Sequence, residues 1–212
     1  DMAVLKGYLA KVYGINTSSG FSTTFTSEAM TEGTAGDAKI YQIDDITKRV
    51  WDPNEEITLS AGLDTPTLDE SWMDHGIDWL TGRVKLNETG LTLTVSGKYF
   101  PTLIEIGEAY NWTLDLSADV VDVSAFGDEW KKKTAIQKNW TGSFEKFAID
   151  EYWFDIAKLA KIFLVKLYTQ ADIGYQGFCV IPTLSSGASV ADVLKETVNL
   201  EGHWMISEFD ES

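Results

Sequence analysis

The chain has 212 residues, of which 44% are hydrophobic and 24% charged, and 33 acidic against 17 basic side chains give a formal net charge of −16. This is an ordinary globular composition, long enough for one sizeable domain or two small ones, and it excludes a disordered chain. Acids outnumber bases by 15 to 8 over residues 1–100 and by 18 to 9 afterwards, so neither half has the Lys and Arg surplus that gripping nucleic acid requires.

Residues 2–13 alternate mildly and read as a strand or an arm. Residues 17–36 are rich in Ser, Thr and Gly, a composition expected of a mobile or interface-forming segment. A strand is expected over 38–43, and Asp44 is placed to cap a helical turn that runs to Trp51 and is closed by Pro53. Short strands follow at 56–60, 76–79, 82–86 and 91–95, separated by turn residues, the spacing of an all-β unit. Residues 1–97 therefore read as an N-terminal β-rich extension with a flexible Ser/Thr/Gly segment, and 98–212 as a core.

In that core, Trp112, Leu114, Leu116 and Val120 alternate with Thr113, Asp115, Ser117 and Asp119, the period of a half-buried strand. The period changes at Ala125-Phe126-Gly127. Asp128 and Glu129 then stand where acids favour a helix N-terminus, and Lys131, Lys132, Lys133 and Lys138 follow toward its C-terminal end. A short helix is predicted there, anchored on the sheet by Trp130, with Phe126 one turn earlier on the same face. Trp140-Thr141-Gly142-Ser143 returns the chain to extended structure, and echoes Trp79-Leu80-Thr81-Gly82 as a turn launching a strand. Asp150 is expected to cap a second helix over 151–160 whose inner face carries Trp153, Ile156, Ala157 and Ala160. Strands are predicted over 162–168, 175–183 and 196–204, and the acidic tail 208–212 is expected to fray. The fold class is mainly β: an antiparallel β-sandwich or barrel with a short packed helix.

The residues Asp122, Val123, Ser124, Phe126, Gly127, Asp128 and Trp130, followed by Trp140, Gly142, Ser143 and Phe144, resemble the "D-V-T-x-F-G-D-x-W" and "W-x-G-S-F" passages of the tail tube (major tail) proteins of long-tailed bacteriophages. Gly177 to Ile181 is similar to that family's "G-x-a-x-i" strand. Residues 189–193 with 197–202 are similar to its ending. The likeness spans residues 99–204, and the run Lys131-Lys132-Lys133 departs from it. Pieces of the N-terminal half, I-D-D-I-x-K-R-x-W-D-P and I-D-W-L-T-G-R-V, resemble an extension found before the tube core in some members.

The resemblance implies a structural virion protein, a subunit of stacked, hexameric rings that form the hollow tail tube through which DNA is delivered. Its partners would be itself, the tape measure, tail terminator and baseplate proteins, with genomic DNA passing without specific binding. It would be assembled in the bacterial host cytoplasm, without membrane, cofactor or metal, and would not be an enzyme. Elementary physics fits that reading. Open sheet edges invite pairing with another copy, ring closure consumes them, and an acidic wall repels phosphate. Two alternatives stay open: a baseplate or distal tail ring protein, and a carbohydrate-binding β-sandwich adhesion module, which rests on 8 Trp.

No other chemistry gathers support. Asp44, Asp45, Asp52, Glu55 and Glu56 lack the grammar of a calcium loop and are interrupted by Pro53, so a solvated acidic turn is expected. His75, beside Asp74, has no nucleophile elbow to serve. His203 lies on the opposite face from Val198 and Leu200, which points it to solvent. Cys179, the single cysteine, sits between Phe178 and Val180 and reads as a small buried hydrophobe, with no intramolecular disulfide to form. The Trp residues are expected to pack rather than stack on sugars. No phosphate-binding glycine loop and no Cys/His zinc set is present. Asn16, Asn87, Asn111 and Asn139 head glycosylation-type triplets that have no meaning without secretion. No apolar leader is visible, and Asp1 before Met2 reads as an addition to the natural start.

Overall fold

The computed structural model describes residues 11–15, 21–33, 39–62, 64–101, 103–105, 109–124, 130–147, 152–169, 172–189 and 192–210. The chain divides into two compact units, Ile15–Ile104 and a second made of Asp1–Gly14 with Glu105–Ser212. Both are built on antiparallel sheet, and a single α-helix occurs among the described residues, so the mainly-β expectation with one short helix holds.

The strands of the Ile15–Ile104 unit are β2 (Thr23–Glu32), β3 (Ile40–Ile43), β4 (Thr58–Ser60), β5 (Ile77–Asp78), β6 (Arg83–Lys85) and β7 (Leu93–Tyr99), ordered β4-β7-β2-β3-β6-β5. Phe25, Met30, Tyr41, Ile43, Trp51, Val84, Leu93 and Val95 supply its core. Between β3 and β4 a 3-10 turn spans Ile46–Lys48, capped by Asp45, whose carboxylate accepts from the Thr47 amide at 3.0 Å. The expected capped turn is therefore present, with its cap one residue later than Asp44. The Trp79–Gly82 turn joins β5 to β6. Gly82 has a φ of 63°, and a Cβ there would lie 2.8 Å from the Arg49 carbonyl, so the turn admits only glycine. Asp78, 2% exposed, accepts from the Leu80 amide and the Thr81 hydroxyl and pairs with Arg83 Nη2 at 2.7 Å. Its buried charge is thus both paired and hydrogen-bonded.

The seven-stranded sheet, drawn mostly from the other unit, contains β1 (Val12–Ile15), β8 (Leu103–Glu105), β9 (Ala109–Asp122), β10 (Lys133–Phe147), β11 (Phe163–Tyr168), β12 (Ile173–Ser189) and β13 (Asp192–Asp210), and α1 (Tyr152–Leu159) follows β10. The sheet order is β8-β1-β11-β12-β13-β10-β9. The N-terminal strand thus pairs back into the later half of the sequence, Val12 opposite Leu167. Lys11 Nζ, 2.9 Å from Glu105, reinforces that edge. α1 forms where expected and turns Trp153 and Ile156 inward, with the Trp153 ring 4.7 Å from that of Phe144 and 5.8 Å from that of Phe163. Ala160 lies beyond the helix at a positive φ and is exposed, so it does not share the buried face.

Several expectations are corrected. A cut between residues 97 and 98 falls inside β7, which runs on to Tyr99. The Ser/Thr/Gly-rich segment holds β2, a ten-residue strand hydrogen-bonded to β3 on one side and β7 on the other. Its Thr residues favour extended backbone, and a bulge between Phe25 and Glu28, with Ser27 at a φ of 52°, hides the alternation. The helix expected near residues 128–138 gives way to β10, which begins at Lys133; residues 125–129 lie outside the described part. Trp130 is 83% exposed and so is not packed on the sheet. Trp140 to Phe144 lie within β10 rather than at a turn. Glu208 and Asp210 do not fray but pair with Tyr175 and Ile173.

Candidate assembly surface

Trp140 divides the β9–β10 hairpin into a packed part and a bare one. Toward the body, Phe144 faces Trp112, Gly142 faces Leu114 and Trp140 faces Leu116. Phe144 and Trp140 are buried, and Val198 and Leu200 on β13 line up beside Phe144 and Gly142. The Trp140 indole is seated on glycine backbone. A Cβ on Gly177 would come within 2.8 Å of its ring, and one on Gly202 would overlap the ring outright. The register of β12 against β13 slips between Gly177 and Phe178, leaving Trp204 and Met205 as extra residues on β13. Trp204 takes a φ of 72° there, and its carbonyl accepts the Trp140 Nε1 hydrogen at 3.2 Å. Trp140, Gly177 and Gly202 come from three separate motifs of the sequence, and the fold makes one contact of them.

Outward from Trp140 the hairpin continues uncovered. Residues 115–124 and 130–139 are exposed throughout, on both faces of the ribbon. The cross-strand pairs are Ser117 with Asn139, Ala118 with Lys138, Val120 with Ala135, Val121 with Thr134 and Asp122 with Lys133. Ile136 and Gln137 stand against the single residue Asp119, a bulge that sharpens the local twist. Beyond Leu116 this is about 20 Å of strand. The end is tied by the Val123 amide donating to the Lys132 carbonyl at 2.9 Å and the Lys132 amide to the Ser124 hydroxyl at 2.9 Å. Asp122 accepts from the Ser124 hydroxyl and amide, and those bonds hold its carboxyl below the usual range.

The bare part carries large apolar side chains among its charged and polar ones. Leu116 is 69% exposed and Ile136 66%, and Val120, Val121, Val123 and Trp130 are exposed with them. Scattered apolar residues are normal on a surface, and a cluster on one ribbon is what makes this surface a candidate. Along its base runs a groove of about 1150 Å³ lined by Leu116, Ala118, Lys138, Trp140, Trp204 and Met205. β9 is also the edge of its sheet, fourteen residues long, so among the described residues one of its backbone edges has no strand beside it. The opposite edge, β8, has three residues.

The other candidate residues are dispersed. Asp45 caps its turn and pairs with Lys48 at 3.0 Å, and hydrogen bonds from Thr47 and then Lys48 lower its pKa to about 2. Asp52 is buried and accepts from the Asn54 amide, while Glu55 pairs with Lys98 at 2.7 Å. No group of three or more metal-ligating side chains forms among the described residues. His75 and His203 are both exposed, and Asp74 accepts from Trp79 Nε1 at 2.8 Å. Cys179 is buried, and desolvation pushes its thiol pKa well up, which makes it a poor nucleophile. Trp51, Trp79, Trp140 and Trp153 are buried, while Trp72, Trp112 and Trp204 are half-buried. Trp130 alone stands free enough to stack on a ligand. Among the described residues, no helix is long and apolar enough to cross a membrane.

No family model matches the chain, and no curated protein matches it. Among solved structures it is similar to a chain in the virion of a native gene transfer agent particle, at 13% identity and a TM-score of 0.46, with 50% of this chain and 88% of that one covered. A likeness of that depth assigns no family.

Proposed function

We propose that the chain is a structural virion protein whose copies close into rings, hexameric by resemblance to tail tube proteins, and stack into the hollow tube that delivers DNA. The observation that carries this reading is the β9–β10 ribbon, which exposes Leu116, Val120, Val121, Val123, Trp130 and Ile136 among its charges and lies at a sheet edge. A monomer has no use for such a feature, and a second copy can cover it. Some of the motif residues lend further support, because Trp140, Gly142, Gly177 and Gly202, which fall in passages that resemble the tail tube family, meet at the base of the ribbon. The net charge of −16 suits a lumen past which phosphate slides. In this reading the tape measure, terminator and baseplate proteins meet the tube at its ends and inside it, DNA is cargo rather than ligand, and no catalytic step is involved.

Electron microscopy of the purified chain at high concentration tests the proposal. Rings or tubes of uniform width with a central channel are the expected result. A lone ring that never stacks would instead favour a baseplate role, and a monomer at every concentration would contradict both.

A further inference from the structure

The Ile15–Ile104 unit carries a groove of its own, and the ribbon carries a side chain without a seat. We infer that the Trp130–Lys133 end of one copy's hairpin docks into the acidic-rimmed apolar groove beside β4 of a second copy. This assignment rests on the self-assembly reading above and names the surface that receives the ribbon.

The groove encloses about 460 Å³ against the β4 edge of the six-stranded sheet. Ile57, Pro66, Leu68 and Trp79 form its floor, and Glu55 and Glu56 stand on its rim. Trp79 already donates its Nε1 hydrogen to Asp74, so what it offers the groove is ring carbon. An indole suits such a floor, because a large flat apolar body gains most from leaving water and aromatic anchors dominate protein interfaces.

Charge selects the occupant. Two copies each carrying −16 repel one another. The stretch Trp130 to Lys138 is the exception, with four Lys and no acid, and it is exposed throughout. The unit that holds the groove has 14 acidic and 6 basic residues. Lys131 and Lys133 flank the indole, and the exposed Glu56 flanks the groove beside the Glu55–Lys98 pair. Opposite charges around an apolar anchor set the register and speed the encounter.

A charge-reversal cycle read by sedimentation velocity tests the contact. Lys131→Glu with Lys133→Glu is expected to raise the concentration for half-assembly about tenfold or more, and Glu56→Lys to raise it less. Combining all three substitutions is expected to recover much of the loss. Every altered side chain is exposed, so circular dichroism should be unchanged. As a second reading, Trp130→Cys with Glu56→Cys should give an intermolecular disulfide ladder on oxidation that neither variant gives alone; Cys179 is buried and does not compete. Assembly of the unaltered chain with additive charge effects and no ladder would overturn the docking while leaving the assembly reading intact. An unaltered chain that stays monomeric would overturn both.

Discussion

From Ala109 to Leu114, and across from them between Trp140 and Phe147, the β9–β10 hairpin turns its apolar residues onto the core of its own sheet. From Ser117 to Asp122, opposite Lys133 to Asn139, the same two strands remain paired but both faces stand in water. The alternation is similar in the two halves. What differs is the cover: the proximal half has α1 and β13 at hand, and none of the described residues covers the distal half. An amphipathic pattern reports which face is apolar, not whose surface buries it.

That contrast can be broken from either side. Among point substitutions the largest effect on folding is expected from Trp140→Ala, which empties the seat made by Gly177 and Gly202 and should cost about 3–5 kcal/mol in denaturant titration. Gly202→Ala drives a methyl into the same indole and should cost about 1–3 kcal/mol. Deletion of residues 20–36 removes β2 from the middle of its sheet, so it should unfold that unit in hydrogen exchange rather than merely abolish assembly. In the distal half the ranking reverses. Trp130→Ser or Ile136→Ser should leave the denaturation midpoint within about 0.5 kcal/mol and yet weaken assembly measurably by light scattering. The smallest effect belongs to acid. Asp45 is depressed from 3.8 to about 2, and Asp69, Glu105 and Asp122 are lowered too. A depressed carboxylate contributes stability that is present above its unfolded pKa and lost as pH falls through its folded one. Stability should therefore be flat above about pH 5 and decline toward pH 2, with Asp45→Asn shallowing the decline.

Legibility in the sequence followed the same line. β11, β12, α1 and the short strands of the first unit were readable because each buries its own apolar period nearby. The residues that meet at Trp140 were visible as separate motifs, but a seat assembled from β10, β12 and β13 has no local signal. Two segments were misread for a shared reason, reliance on composition. Acids before lysines at Asp128 to Lys133 suit a helix dipole, yet they also suit a charged hairpin end, and Thr134 and Ile136 favour strand. Ser and Thr in β2 look like a linker until Phe25 and Met30 are seen to be buried on either side of a bulge. The exposed ribbon could not be read from alternation at all, because the pattern does not say whether an apolar face is covered.

The central claim is that the distal half of the hairpin serves assembly and not folding. The most direct measurement replaces residues 119–137 with an Asn-Gly turn between Ala118 and Lys138, which are already paired across the ribbon. Sedimentation velocity and thermal denaturation then compare the shortened and full chains. The account expects an unchanged melting midpoint and a monomer at concentrations where the full chain assembles. A shortened chain that still assembles, or one that no longer folds, would contradict it.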